Sequence, residues 1–224
     1  MERAFVSGKK FLSLVVVSLV TIVSISACGL NASDAARVGE NKLAIKTVLE
    51  QSQTVDDLSR AVDKAAPDGA QVNRSQVAIW IEEQLTARVA QSLKISVTDA
   101  QVDKFLASVA QQSGVSPELF AQQFAVQQGT WVVPSQLNTF TRTYLTQQKI
   151  KAALLPKGTP AAQSAALSKA LGKVAATVGV FVSPRYGSWD QANVRVAGLT
   201  NDLSTPGRVG APNVSNPDTA PNTR

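Results

Sequence analysis

The sequence predicts a mainly α-helical domain with a small antiparallel β element that joins its two ends. Three observations carry that prediction. Apolar residues recur at three-and-four spacing through most of the chain. The periodic segments are separated by capping residues and by proline or glycine breaks. The period then falls to two at either end of the patterned region, near Val38 and again at Val178, Val180 and Val182.

The elements follow in order. Ala35 to Ala44 (AARVGENKLA) reads as a hairpin, with Val38 and Leu43 apolar and Gly39-Glu40-Asn41 supplying the turn. Ile45 to Gln53 reads as a first helix, and Asp56 to Ala66 as a short second one that breaks at Pro67-Asp68-Gly69. The best-patterned segment is NRSQVAIWIEEQLTARVAQSL, where Val77, Trp80, Ile81, Leu85, Val89 and Leu93 share a face. Asn73 is its expected cap, with Gln76 reaching back. Thr98 and Gln101 form a second capping box, opening a helix through Val102, Phe105, Leu106 and Val109 that stops near Gly114. Ser116-Pro117 places a serine cap before a proline at the first helical position, and that helix ends by Gly129. Pro134 opens a long helix through Leu137, Phe140, Tyr144, Leu145 and Ile150, ended by Leu155-Pro156-Lys157-Gly158. Pro160 to Thr177 is alanine-rich and amphipathic. After the strand-like run, Pro184 cannot donate a ladder hydrogen bond, so the strand ends there. Pairing that late strand with the early hairpin satisfies backbone groups that both would otherwise leave open. Residues 200–224, rich in Asn, Pro, Thr, Ser and Gly, read as a disordered tail.

Composition excludes several kinds of chemistry. The 224 residues contain no histidine and one cysteine. A Ser-His-Asp triad, a Cys-His dyad and a histidine metal site are therefore out of reach. A lone cysteine closes no internal disulfide and builds no thiolate zinc site. No metal and no cofactor is expected. The formal net charge is +6, but no basic run is interleaved with aromatic residues, so nucleic acid is not an expected partner.

The start reads MERAFVSGKKFLSLVVVSLVTIVSISAC. Arg3, Lys9 and Lys10 precede an uncharged apolar run from Phe11 to Ile25, the layout of a secretory signal spanning residues 1–27. Ile25-Ser26-Ala27-Cys28 resembles the bacterial lipobox. That resemblance implies that Cys28 is lipidated and begins the mature chain. Each buried acyl CH₂ contributes roughly 0.8 kcal/mol, so two or three chains hold a soluble domain at a membrane. The other reading is an ordinary signal peptide with an unrelated cysteine. Residues 28–34 would be the tether and 35–199 the folded domain, exported and held at the outer face of the cell membrane. Losing residues 1–27 removes three cations and Glu2, which leaves a mild positive excess suited to an anionic leaflet.

The segment order resembles the N-terminal chaperone domain of the SurA/PrsA foldase family. The stretches that carry the resemblance are AARVGENKLAIKTVLEQ, VNRSQVAIWIEEQL, KISVTDAQVDKFLASVAQQSG, the long helix after WVVPSQL and the ending VFVSPRYGSWD. In the ending, Pro184, Arg185, Tyr186, Gly187 and Trp189 match the family's strand-to-turn motif. The resemblance implies a holdase for unfolded, aromatic-rich segments of nascent exported proteins. Many members also carry an inserted parvulin prolyl isomerase domain. Here only about 20 residues separate Leu155 from Val178, where roughly 90 or more would be needed to build a second core. Parvulin sites also use histidines. The chain is therefore not expected to be an enzyme.

Candidate client-binding residues are Trp80, Phe120, Phe124, Trp131 and Tyr144, with Phe105 and Phe140 beside them. At helical spacing such residues are more often core. Trp131 follows Gly129-Thr130 in a turn and is the one expected at a groove edge. Arg185, Tyr186, Trp189 and Asp190 are expected to brace the fold, with Arg185 stacked on a ring and paired to a carboxylate. Gly187 supplies a backbone conformation that other residues avoid. Glu82-Glu83 and Asp56-Asp57 read as solvated charges, because adjacent helix positions point about 100° apart. Two further functions stay open: a structural or adaptor lipoprotein with one folded envelope partner, and a prolyl isomerase.

Overall fold

Gly39 opens the hairpin turn at φ 59, a region that costs a residue without Cβ little. In the computed structural model, which describes residues 33–198 apart from residue 128, that turn joins β1 (Asp34–Val38) to β2 (Asn41–Ala44). The strands are antiparallel, with Val38 opposite Asn41 and a register shift between Asp34 and Ala36. The other edge of β1 takes β3 (Val180–Val182), with Val38 opposite Val180 and Ala36 opposite Val182. The sheet order is β2-β1-β3. The two ends of the patterned region therefore meet in one antiparallel sheet, as their backbone groups require. Asp34, expected in the tether, instead begins β1 and is buried.

The helices are α1 (Ile45–Ala61), α2 (Gly69–Leu93), α3 (Asp99–Gln112), α4 (Pro117–Ala125), α5 (Leu137–Leu154) and α6 (Pro160–Val178). The described region is thus mainly helical with a small antiparallel sheet. Two expectations need correction. Residues 45–66 form no pair of helices, because α1 runs unbroken to Ala61. Nothing between Gln53 and Asp56 is Gly or Pro, Thr54 Oγ1 donates back to Glu50 O at 2.9 Å, and Val55 and Ser59 extend the buried face begun by Val48. The second concerns Asn73, which caps nothing. Asp68 caps α2 a turn earlier by accepting from Ala70 N at 2.8 Å. Asn73 lies inside the helix, where its Oδ1 accepts from Ser52 Oγ at 2.6 Å and ties α1 to α2.

The expected caps at Thr98 and Ser116 form, and Thr159 supplies one more. Both halves of the Thr98–Gln101 capping box are present. Ser116 accepts from Leu119 N and Thr159 accepts from Ala162 N. Pro134–Gln136 make a 3₁₀ turn that runs into α5.

Helix α2 is the centre of the domain, packed against α1, α5, α6 and β1. Its Val77, Ile81, Leu85 and Val89 form the main core with Ala36, Val38, Ile150, Leu171, Val182 and Tyr186. A second, smaller core gathers Val55, Val72, Trp131 and Val133. After β3 comes a 3₁₀ turn at Pro184–Tyr186 and then a short hairpin, β4 (Ser188–Asp190) with β5 (Arg195–Ala197). Unlike β3, whose alternation continues from Val178 through Val180 and Val182, Ser188–Asp190 and Arg195–Ala197 continue no alternating run, and this hairpin is not among the expectations drawn from the sequence.

Candidate functional site

The expected client-binding residues separate into two groups. Trp131 is the correction. It is 8 % exposed and lies in the small core with Val55, Val72 and Val133, not at a groove edge. The loop after α4 tightens through bonds from Thr130 N and Trp131 N to Gln127 O. Trp131 adopts φ 46 there, an uncommon region for a bulky residue. Its carbonyl accepts from the fully buried Gln76 Nε2 at 2.6 Å, so α2 holds the loop down. The available signal was the run Trp131-Val132-Val133. Three consecutive apolar residues mark a buried segment better than a turn does. Trp80 is half-buried and packs against the main core.

The remaining aromatics are not core. Phe120 and Phe124 stack on α4 with centroids 5.6 Å apart. Phe124 meets Phe140 of α5 at 5.8 Å. One turn along α5, Tyr144 meets Phe105 of α3 at 5.6 Å. Five rings thus cross α4, α5 and α3, all half-buried except Tyr144, which is 42 % exposed. The ring separations fit the tilted and offset geometries that aromatic pairs prefer. Helix α4 is the unusual element, because among its residues only Ala125 is buried. Its Leu119 is exposed, as is Val62 across a groove of about 590 Å³ that also takes in Phe120, Phe124 and Val126. On the other side of the row, α3 and α5 enclose about 410 Å³ beside Phe105 and Leu145.

Glu82 and Glu83 differ from each other, against the expectation of two solvated charges. Glu82 is exposed and accepts from Gln147 Nε2 at 2.7 Å. Glu83 is half-buried between two α2–α5 grooves, and burial raises its carboxyl pKa above the ordinary value. The folded chain therefore keeps that proton to a higher pH than the unfolded chain does. The resulting cost is absent below the unfolded carboxylate pKa and fully present above the folded one. Glu83→Gln is expected to raise Tm at about pH 7 and to leave it unchanged at about pH 3.5, below the usual carboxylate range. Thermal melts of both proteins at the two pH values check this. An equal gain at both would show that burial of the charge is not the cause. Asp56 and Asp57, by contrast, both pair with Arg60 on the exposed face of α1.

The terminal motif braces the fold through Tyr186 and Trp189, as expected, but not through Arg185. Tyr186 is buried in the main core, and that burial raises its phenol pKa. Trp189 packs on the same core, and its Nε1 donates to Gln191 Oε1 at 2.8 Å. Gln191 Nε2 in turn donates to Gly172 O at 2.8 Å, which fastens the hairpin to α6. Arg185 and Pro184 are exposed. The cation over a ring is Arg37, 5.3 Å from the centroid of Phe181. The carboxylate of Asp190 takes bonds from Asn193 Nδ2 and N and then from Arg195 Nε, which hold its pKa below the ordinary value. Arg37 is set opposite Phe181 by the β1–β3 register, a pairing that only the assembled sheet creates.

Among the described residues no group of three or more His, Cys, Asp or Glu could hold a metal ion. No helix among them is long and apolar enough to cross a membrane. Cys28, the signal at 1–27 and the tail at 200–224 lie outside the described residues. No family model, no curated protein and no solved structure matches the chain.

Proposed function

We propose that the chain is a lipid-anchored extracytoplasmic chaperone-like protein, a SurA/PrsA-type chaperone module that holds unfolded segments of exported proteins without catalysis. The observation that carries the reading is the row of five rings across α4, α5 and α3, beside an α4 that leaves Leu119 exposed and Phe120 and Phe124 only half-covered. A folded domain has no packing reason to keep Phe120, Phe124, Leu119 and Tyr144 at its surface together. Exposed apolar surface of this kind marks an interaction site. Burying one client aromatic against it removes ~150–200 Å² from water, a gross gain of about 4 kcal/mol. Several such contacts, none dominant, give the promiscuity that a holdase needs. The lipobox-like end at Cys28 supports the anchor, and α6 alone fills the stretch between Leu155 and Val178 where the family inserts its isomerase.

The test is suppression of aggregation of an unfolded exported protein by the purified chain, together with binding of aromatic-rich peptides. If it does neither, the holdase reading fails. Crosslinking in the envelope separates it from an adaptor, since a holdase yields many nascent clients and an adaptor yields one folded partner at fixed stoichiometry.

A further inference from the structure

Between α2 and α5, under the aromatic row, lies a pocket of about 80 Å³. Ile79, Glu82 and Glu83 line it from α2, and Phe140, Tyr144 and Gln147 line it from α5. The chemistry is mixed in a particular way. Two rings one turn apart face a pair of carboxylates on the neighbouring helix. Glu82 is engaged by Gln147. Glu83 has no hydrogen bond or ion pair among the described residues, yet it is half withdrawn from water. The nearest arginine along α5, Arg142, lines the adjoining groove, but its guanidinium is committed to Asp99 and to Val97 O.

A carboxylate held in this way costs stability and gains no partner among the described residues. A cation arriving from outside would repay it. Aromatic faces attract ammonium and guanidinium groups, more strongly where water is partly excluded. The size of the pocket selects the same class. Its space of about 80 Å³ is small for a ring, since a closed cavity of ~150 Å³ takes benzene, and it has room for a compact cationic head beside the two glutamates. We propose that this pocket binds the side-chain head of an arginine or lysine in a peptide lying along the aromatic row. The preferred segment then has a basic residue next to aromatic ones. The pocket depends on the chaperone reading only for the source of its cation, because its own lining defines the chemistry.

The test uses small probes first. N-acetyl-arginine methylamide is titrated into the ¹⁵N-labelled full chain, with the uncharged citrulline analogue alongside. The expected result is a saturable shift of the amides around Ile79, Glu83, Phe140 and Tyr144 with arginine and none with citrulline, the response weakening at least tenfold in Glu83→Gln. That variant keeps the side chain's shape and removes its charge, so it folds. Equal shifts from both probes, or an unchanged response in the variant, overturn the pocket. A second arm compares two aromatic-rich peptides that differ only in arginine against citrulline, with a preference for arginine expected. If neither peptide binds while the small arginine probe does, the pocket stands and the holdase reading falls. If both bind equally and the small probe gives no shift, the holdase reading stands and the pocket falls.

Discussion

Gly187→Ala is expected to destabilise the folded chain by ~2–4 kcal/mol, a drop in Tm of about 6–12 °C for a domain of this size. Two independent obstacles add up. Gly187 adopts φ 129 and ψ −154, a region almost closed to residues with a Cβ. An added Cβ would also lie 2.2 Å from Ala197 O. That oxygen is backbone, on the strand whose Ala197 sits opposite Ser188, so it cannot swing aside as a side-chain tip can. Relief would require opening the β4–β5 hairpin, which carries Trp189 onto the main core. Gly114→Ala is the matching control. Gly114 also has positive φ, at 69, but nothing lies within 4 Å of its added Cβ. Its cost should be only about 1 kcal/mol. Thermal or urea unfolding of the two variants measures the difference. Equal losses would mean that the close approach to Ala197 contributes nothing.

The contrast between those two glycines shows what the sequence makes legible. Both positions read as turn glycines. The collision with Ala197 exists only once two strands with no visible alternation have paired. Local chemistry is legible at Thr98 and Ser116, because a capping box and a proline after a serine act within one turn of their own backbone. The early hairpin and the late strand were paired correctly because few other partners could satisfy them. Asn73 misled because a good capping residue also works as a hydrogen-bond acceptor inside a helix, here to Ser52. Spacing of three and four told which residues share a face, and for α2 that face is the core. The same spacing on α4 said nothing about whether another element covers Phe120 and Phe124. Coverage is a property of the assembled fold, and so is the half-burial of Glu83.

That difference in coverage underlies the second large effect. Trp131→Ala is expected to cost ~3–5 kcal/mol, the usual range for emptying a buried aromatic site. Val55, Val72 and Val133 would face the space left by the indole, and the loop held by Gln76 would lose its anchor in the small core. Alanine gains nothing in return, since it too must sit at positive φ. The double variant Phe124→Ser/Tyr144→Ser should behave in the opposite way. Tyr144 is already 42 % exposed and Phe124 half-buried, so stability should fall by only about 1 kcal/mol, within the range of ordinary surface changes and one partly covered ring. Aggregation suppression, however, should fall by at least about tenfold, because removing two rings from the row forfeits more than the ~1.4 kcal/mol that a factor of ten requires. The pair of measurements is a denaturant midpoint and a light-scattering assay on the same preparations. With Trp131→Ala held well below its melting temperature, the surviving folded fraction should suppress aggregation as the unmodified chain does. If Trp131→Ala instead abolishes suppression while remaining folded, or the double serine variant retains full suppression, the five-ring row is not where clients bind.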